Sequence, residues 1–337
     1  MYKLASFLDK YDTIIFDLDG VITREQQYWN AAALTVWEFL YSKNYFGKEH
    51  LDAPKLMKNY TDIRNKVFAD DKLITLFKSK GVNSNWDLGY IIFATVMLND
   101  GNFDKAFLAS QNYSDNILDD YPIIAQKLTA KLGIDCERNS ELWLSMQSCF
   151  QEWFLGDTLF TKKYNKNPIL SGKSGLCYEE EPIIDGEKLI TIMKMLHEKG
   201  VRLCVASGRP LEEAMTAIEK FKILEYLDPN AIICYNFVEI AEAELGINLT
   251  KPHPFMFTKA MLGASFPNKK LLEGDFPKEQ LKRTLGVGDA GADILSAHNS
   301  GMDFCAVLTG ISGKAAKGYF EQEKAEFILD SLEDFLG

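Results

Sequence analysis

The sequence predicts an α/β protein: a parallel sheet with helices on both faces, carrying an all-helical insertion directly after its first strand. Three observations predict it. Thr13 to Phe16 is a short apolar run rich in β-branched residues, closed by a turn at Gly20, which is the pattern of a buried strand. Trp29 to about Gly156 then follows with helical spacing and hardly a convincing strand. From Pro182 onward, short apolar runs alternate with helical stretches. Strands of that kind, alternating with helices, pack as a parallel sheet covered on both faces.

The elements can be taken in order. Trp29, Ala33, Val36, Trp37 and Leu40 fall on one face of a helix. Asp62 to Lys80 reads as a single helix, with Ile63, Val67, Leu73 and Phe77 inward and Gly81 as its stop. Trp86 to Leu98 is another, capped by Ser84 or Asn85. Pro122 opens a short helix that Gly133 closes. Ser140 to Leu155 carries Trp143, Met146, Phe150, Trp153 and Phe154 and ends at Gly156; these aromatics read as packing core rather than a ligand box. Thr161 to Ser174, with Lys162, Lys163, Lys166 and Lys173, reads as a solvated basic loop. Beyond it, Asp185 caps a helix that stops at Gly200, and Val201 to Ala206 is a strand. Leu211 to Lys222 is a helix, Ala231 to Tyr235 a strand and Pro254 to Leu262 a helix. Leu285 to Val287 is a strand, Ala292 to Asn299 a helix, and Phe304 to Leu308 and Phe327 to Leu329 the last two strands. The expected organisation is a core of residues 1–23 plus 181–337, with residues 24–180 as the insertion.

The chain has 337 residues, 47% of them hydrophobic and 25% charged, enough for two domains with sizeable cores. Its net charge of −11 gives no long-range attraction to nucleic acid or anionic membrane, and neither is expected as a partner. The six cysteines form no CxxC pair and read as buried thiols in a reducing compartment. No secretory signal pattern and no apolar run of about 20 residues is present, so the expectation is a soluble cytoplasmic protein.

Four stretches carry chemistry. Asp17 and Asp19 end the first strand, at the carboxyl edge where open α/β sheets place ligands. Two carboxylates there repel unless a cation or a shared proton intervenes. Ser207 and Gly208 follow the second strand in Ser207-Gly208-Arg209-Pro210; a hydroxyl and a bare amide at a helix start can hold phosphate, although an ordinary helix cap would look the same. Lys251 sits on a stiff segment, Lys251-Pro252-His253-Pro254, where a buried ammonium could offset carboxylate and phosphate charge. Asp289 and Asp293, in Gly286-Val287-Gly288-Asp289-Ala290-Gly291-Ala292-Asp293, form an acid pair one helical turn apart. With Asp17 they would make an all-oxygen site suited to Mg²⁺. A dinucleotide-type glycine turn is the competing reading of that run.

In this order, DLDGV, the serine of VASGR, the lysine of KPHP and GDAGAD resemble motifs I to IV of the haloacid dehalogenase (HAD) superfamily. The resemblance covers the segment before Thr23 and most of Pro182 to Gly337, and implies a Rossmann-like core with residues 24–180 as a C1-type helical cap. It implies Asp17 as a nucleophile forming an aspartyl-phosphate, and Asp19 as general acid and then base. Ser207 and the Gly208 backbone would bind the phosphoryl group, and Lys251 would neutralise its charge. Mg²⁺ would be held by Asp17, the Asp19 carbonyl and Asp289, with Asp293 in or beside its coordination sphere. The expected function is a Mg²⁺-dependent phosphatase of a small phosphorylated metabolite. The alternatives are a β-phosphoglucomutase-like sugar phosphomutase and a non-catalytic binding protein on the same scaffold.

Overall fold

Six apolar runs form the strands of one sheet in a computed structural model that describes residues 2–82 and 84–337. They are β1 (Thr13–Phe16), β2 (Arg202–Ala206), β3 (Leu227–Ile233), β4 (Thr284–Gly288), β5 (Asp303–Val307) and β6 (Phe327–Leu329). The order across the sheet is β3-β2-β1-β4-β5-β6, and every neighbouring pair is parallel. β1 is central: Thr13 to Phe16 pairs with Arg202 to Val205 on one side and Thr284 to Val287 on the other. The chain winds outward from β1 in one direction, returns beside it at β4, and winds the other way. That reversal leaves a crevice at the carboxyl ends of β1 and β4.

Side chains along a strand alternate between faces, so one short strand feeds two cores. Ile14 and Phe16 join Leu203, Val205, Leu285, Val287, Ile192 and Leu196 on one side. Ile15 joins Cys204, Ala206, Phe255, Phe257 and Ile294 on the other. All six cysteines are buried. Helices Gly186–Glu198, Leu211–Lys220, Phe255–Leu262 and Gly291–Ser300 lie at the expected places, the first capped by the Asp185 carboxylate on the Glu187 and Lys188 amides. A further helix, Tyr235–Leu245, was not legible beforehand, because Tyr235 reads as the end of the preceding strand.

The chain divides into two compact units, one of Met1–Glu25 with Glu180–Gly337 and one of Gln26–Glu179. The second is helical. Its helices Gln26–Tyr41, Asn85–Leu98 and Glu141–Tyr164 pack on one another around Phe39, Tyr90, Phe93, Phe150, Trp153 and Phe154, all buried. Tyr28 stacks on Phe154 with centroids 4.3 Å apart. The aromatic run is therefore packing core. Ser84 is the cap of its helix, and Gly133 closes Tyr121–Leu132 at φ 71°. No helix among the described residues is long and apolar enough to cross a membrane.

Two expectations need correction. Asp62 to Lys80 is two helices, Tyr60–Val67 and Lys72–Ser79, because Ala69, Asp70 and Asp71 all adopt positive φ between them. The basic loop is not uniformly solvated. Lys162 and Lys166 are exposed, but the Lys173 side chain is fully buried. The loop doubles back at Gly156, where the long helix has non-helical backbone, and Asp157 accepts the Gly172 and Lys173 amides at 2.7 and 3.1 Å. This drives Lys173 inward, where its Nζ meets Glu38 at 2.9 Å and Glu152 at 2.5 Å, 4.5 Å above the Trp153 ring. Burial pushes the Glu152 carboxyl up in pKa even though Lys173 opposes it. Removing one partner of a buried ion cluster leaves uncompensated charge. Lys173→Met is expected to lower stability by about 3–5 kcal/mol, read as a shifted midpoint in urea unfolding.

Candidate active site

The loop after β1 is built to present carboxylates. Asp17 continues the ladder, its amide donating to Val287 O at 2.9 Å, and is 8% exposed. Leu18 O then accepts the Ile22 and Thr23 amides, both at 2.8 Å, which folds the chain into a tight turn. Gly20 sits in that turn at φ +74°, and a Cβ there would overlap the Asp289 carboxylate, so the glycine of the DxDG motif answers both a backbone and a packing demand.

Asp289 stands at the end of β4, and Asp293 lies in the first turn of Gly291–Ser300, where its carboxylate accepts the Ala290 amide at 3.2 Å. Carboxylate oxygens of Asp17, Asp289 and Asp293 lie within 4.8 Å of one another. Lys251 reaches the same place: its Nζ is 2.8 Å from Asp17 and 2.8 Å from Asp293. The expected residues Asp17, Lys251, Asp289 and Asp293 are thus brought together. Ser207 and Gly208 lie at the same edge, just past β2, with the Ser207 amide donating to Ile233 O. Ser207 is buried and its hydroxyl accepts the Arg209 amide at 3.2 Å, while Gly208 is exposed with open space beside its Cα. The Asp19 carboxylate is bonded by Arg209.

The electrostatics follow from burial and crowding. The Asp17 pKa is pushed up to about 7 by burial, against the pull of Lys251 and with further push from Asp293 and Asp19. The Asp289 carboxyl is pushed well up by burial, then by Asp293 and Asp17. Burial works against the Lys251 ammonium, but Asp17 and Asp293 outweigh it and hold its proton. His253 has a bland role, since its Nδ1 accepts the Phe255 amide at 3.1 Å at the start of a helix.

Sequence reasoning missed two groups. Arg209 is 3% exposed and bonds Asp19, Thr23 and Glu180. Its one signal was an arginine set between a glycine and a proline at a strand end. Thr309 and Gly310, after β5, also join the site: the Thr309 hydroxyl donates to Gly20 O at 2.5 Å, and a Cβ at Gly310 would collide with Asp289. Gly286, Gly288 and Gly291 do fall at GxGxxG spacing. Gly286 and Gly288, however, lie inside β4, and Gly286 packs against Phe257 and Ala297, so this spacing serves strand packing and not a pyrophosphate turn.

Folded-state pKa values raised above the unfolded 3.8 give stability that is complete below about pH 4 and lost as pH rises through about 7. Metal-free protein is therefore expected to lose thermal stability from pH 4 to 7, as the buried Asp17 is forced to ionise. Asp289→Asn should blunt the loss, because burial likewise holds Asp289 protonated, and a wild-type melting temperature that is flat over this range would contradict these raised pKa values.

Comparison with known proteins agrees with this geometry. A family model described as HAD-hydrolase-like matches residues 248–335. Pyrophosphatase PpaX of Halalkalibacterium halodurans is 30% identical over 154 residues, which is 44% of this chain and 57% of that protein, so the match spans little more than half of the relative. An X-ray structure from the Northeast Structural Genomics Consortium superposes with a TM-score of 0.83 at 26% identity, covering 96% of this chain and 97% of the other. The strand order and the carboxylate crevice are in keeping with these matches, and residues 248–335 are similar to the HAD-hydrolase-like family.

Proposed function

We propose that the chain is a Mg²⁺-dependent phosphatase of small phosphomonoesters, working through an aspartyl-phosphate on Asp17. One observation carries the reading: a buried carboxylate, Asp17, is bonded to a buried ammonium, Lys251, beside two further carboxylates at the crevice of the sheet. A carboxylate so placed can act as a nucleophile, and an ammonium beside it can draw a phosphoryl group in and offset its charge.

The donor set fits a hard divalent cation. Asp17, Asp289 and Asp293 offer only oxygen, their mutual repulsion is relieved by a positive ion, and neither histidine nor cysteine is among them. Asp17 and Asp289 with the Asp19 carbonyl would hold the ion, and Asp293 would serve beside them. Bound there, it would polarise phosphoryl oxygens. The chain's own groups do the rest. Asp17 attacks phosphorus, and Asp19 protonates the departing alkoxide and later takes a proton from water. Ser207 and the Gly208 amide hold phosphoryl oxygens, while Lys251 balances their charge. The helical unit is read as a C1-type cap, residues 24–180, inserted in a core of residues 1–23 and 181–337.

The test is phosphate release from a panel of phosphorylated metabolites, pyrophosphate included, with and without Mg²⁺. Release that needs the metal, and falls at least about 10³-fold in Asp17→Asn, is the expected result. Undiminished turnover by that variant would sink the mechanism. Asp289→Ala should raise the Mg²⁺ concentration for half-maximal activity by about tenfold or more, and an unchanged titration would remove Asp289 from the metal site.

A further inference from the structure

Arg209 makes more side-chain bonds than the loop it stands in requires. Its Nε donates to Asp19 Oδ2 at 2.9 Å and its Nη2 to Asp19 Oδ1 at 2.6 Å. The same guanidinium reaches Glu180 through Nη1 at 3.1 Å and Nη2 at 2.7 Å, and Nη2 also meets the Thr23 hydroxyl at 2.9 Å. Thr23 in turn donates to Asp19 Oδ1 at 3.1 Å. Glu180 is fully buried, and Lys220 Nζ holds its backbone carbonyl at 2.7 Å. The Arg209 amide bonds Ser207, and its carbonyl accepts the Tyr235 amide at 2.9 Å.

The arrangement has a direction. Glu180, Thr23 and the backbone bonds fix the guanidinium plane, and the plane fixes Asp19. Glu180 opens the second α/β segment of the chain and Thr23 lies two residues before the end of the first. These two segments are themselves joined there, Ile183 N to Ile22 O at 2.8 Å and Thr23 bridging Pro182. Placing one arginine between two carboxylates costs desolvation, and a hydrophobic trio would pack as well. What the arginine adds is a planar fork that fits both oxygens of a carboxylate at once.

We propose that Arg209, held by Glu180, is the positioning residue for Asp19, setting the direction from which its carboxyl group meets the leaving oxygen. The inference rests on the phosphatase reading above. In the step concerned, Asp17 forms a bond to phosphorus and the bond from phosphorus to the leaving oxygen breaks. The proton on Asp19 passes to that oxygen, so the alcohol departs neutral and Asp19 is left as a carboxylate. A misdirected Asp19 fails at this step in proportion to how much the leaving group needs the proton. An alkyl alkoxide needs it, and nitrophenolate, stable as an anion, does not.

The experiment compares kcat/KM, which reports phosphoryl transfer to the enzyme, for glycerol phosphate and p-nitrophenyl phosphate. The proteins are wild type, Arg209→Lys, Asp17→Asn, Asp19→Asn and Asp19→Asn/Arg209→Lys. Arg209→Lys keeps the charge and loses the fork. It is expected to lose about 10²-fold on the alkyl ester and only a few-fold on the aryl ester. In the Asp19→Asn background the same change should cost little more, since the two residues act as one unit. If Arg209→Lys does not fold, Arg209→Met/Glu180→Gln removes both buried charges and should show the same selective loss. Equal losses on the two esters, or full additivity with Asp19→Asn, would overturn the proposal while leaving the phosphatase reading intact. Release that is independent of Asp17, or absent from every ester, overturns the phosphatase reading and this inference with it.

Discussion

A charge imbalance organises this protein. One ammonium, Lys251, lies between Asp17 and Asp293, and Asp289 adds a third carboxylate to the same crevice. Lys251 cannot neutralise all three, so burial and mutual repulsion hold the pKa values of Asp17 and Asp289 high. A positive charge placed among these carboxylates would relieve their repulsion.

The scaffold meets this imbalance with backbone rather than bulk. Asp17 and Asp289 extend from the ends of adjacent parallel strands whose register is fixed from Thr13 to Phe16, so their separation is set by the sheet. Gly20 and Gly310 both approach the Asp289 carboxylate so closely that neither could carry a Cβ. Lys251 is delivered from a third direction, in front of a helix whose Phe255 and Phe257 are anchored in the core. A second charge system lies beside the first: the Asp19 carboxylate bonds Arg209, and Arg209 also bonds Glu180.

Much of this could be read from the sequence, because the strands are short, apolar and followed by glycine or acidic residues at one edge of the sheet. The residues brought together, Asp17, Lys251, Asp289 and Asp293, each follow a strand or precede a helix, where local pattern reports position. What escaped were the contacts distant in sequence that no local pattern marks, and one local backbone break. Glu180 looks like one more glutamate in an acidic stretch until Arg209 arrives beside it. Lys173 sits in a basic loop and is drawn inside only because Glu38 and Glu152, far apart in the chain, face each other. The break between Val67 and Lys72 is a backbone matter, with three consecutive residues at positive φ that hydrophobic spacing does not register.

The central place of β1 has a further consequence for how the molecule comes into being. The strand that bears Asp17 pairs with Arg202 to Val205 and with Thr284 to Val287, and with nothing nearer in sequence. During synthesis it must wait, unpaired and apolar, until the helical unit has emerged and β2 follows, and its other edge waits longer, for β4. The crevice closes only when β4 slots in beside it. Asp17 thus acquires its surroundings only after β4, far later in the sequence, has joined the sheet, and a chain cut before β4 would carry this aspartate without them.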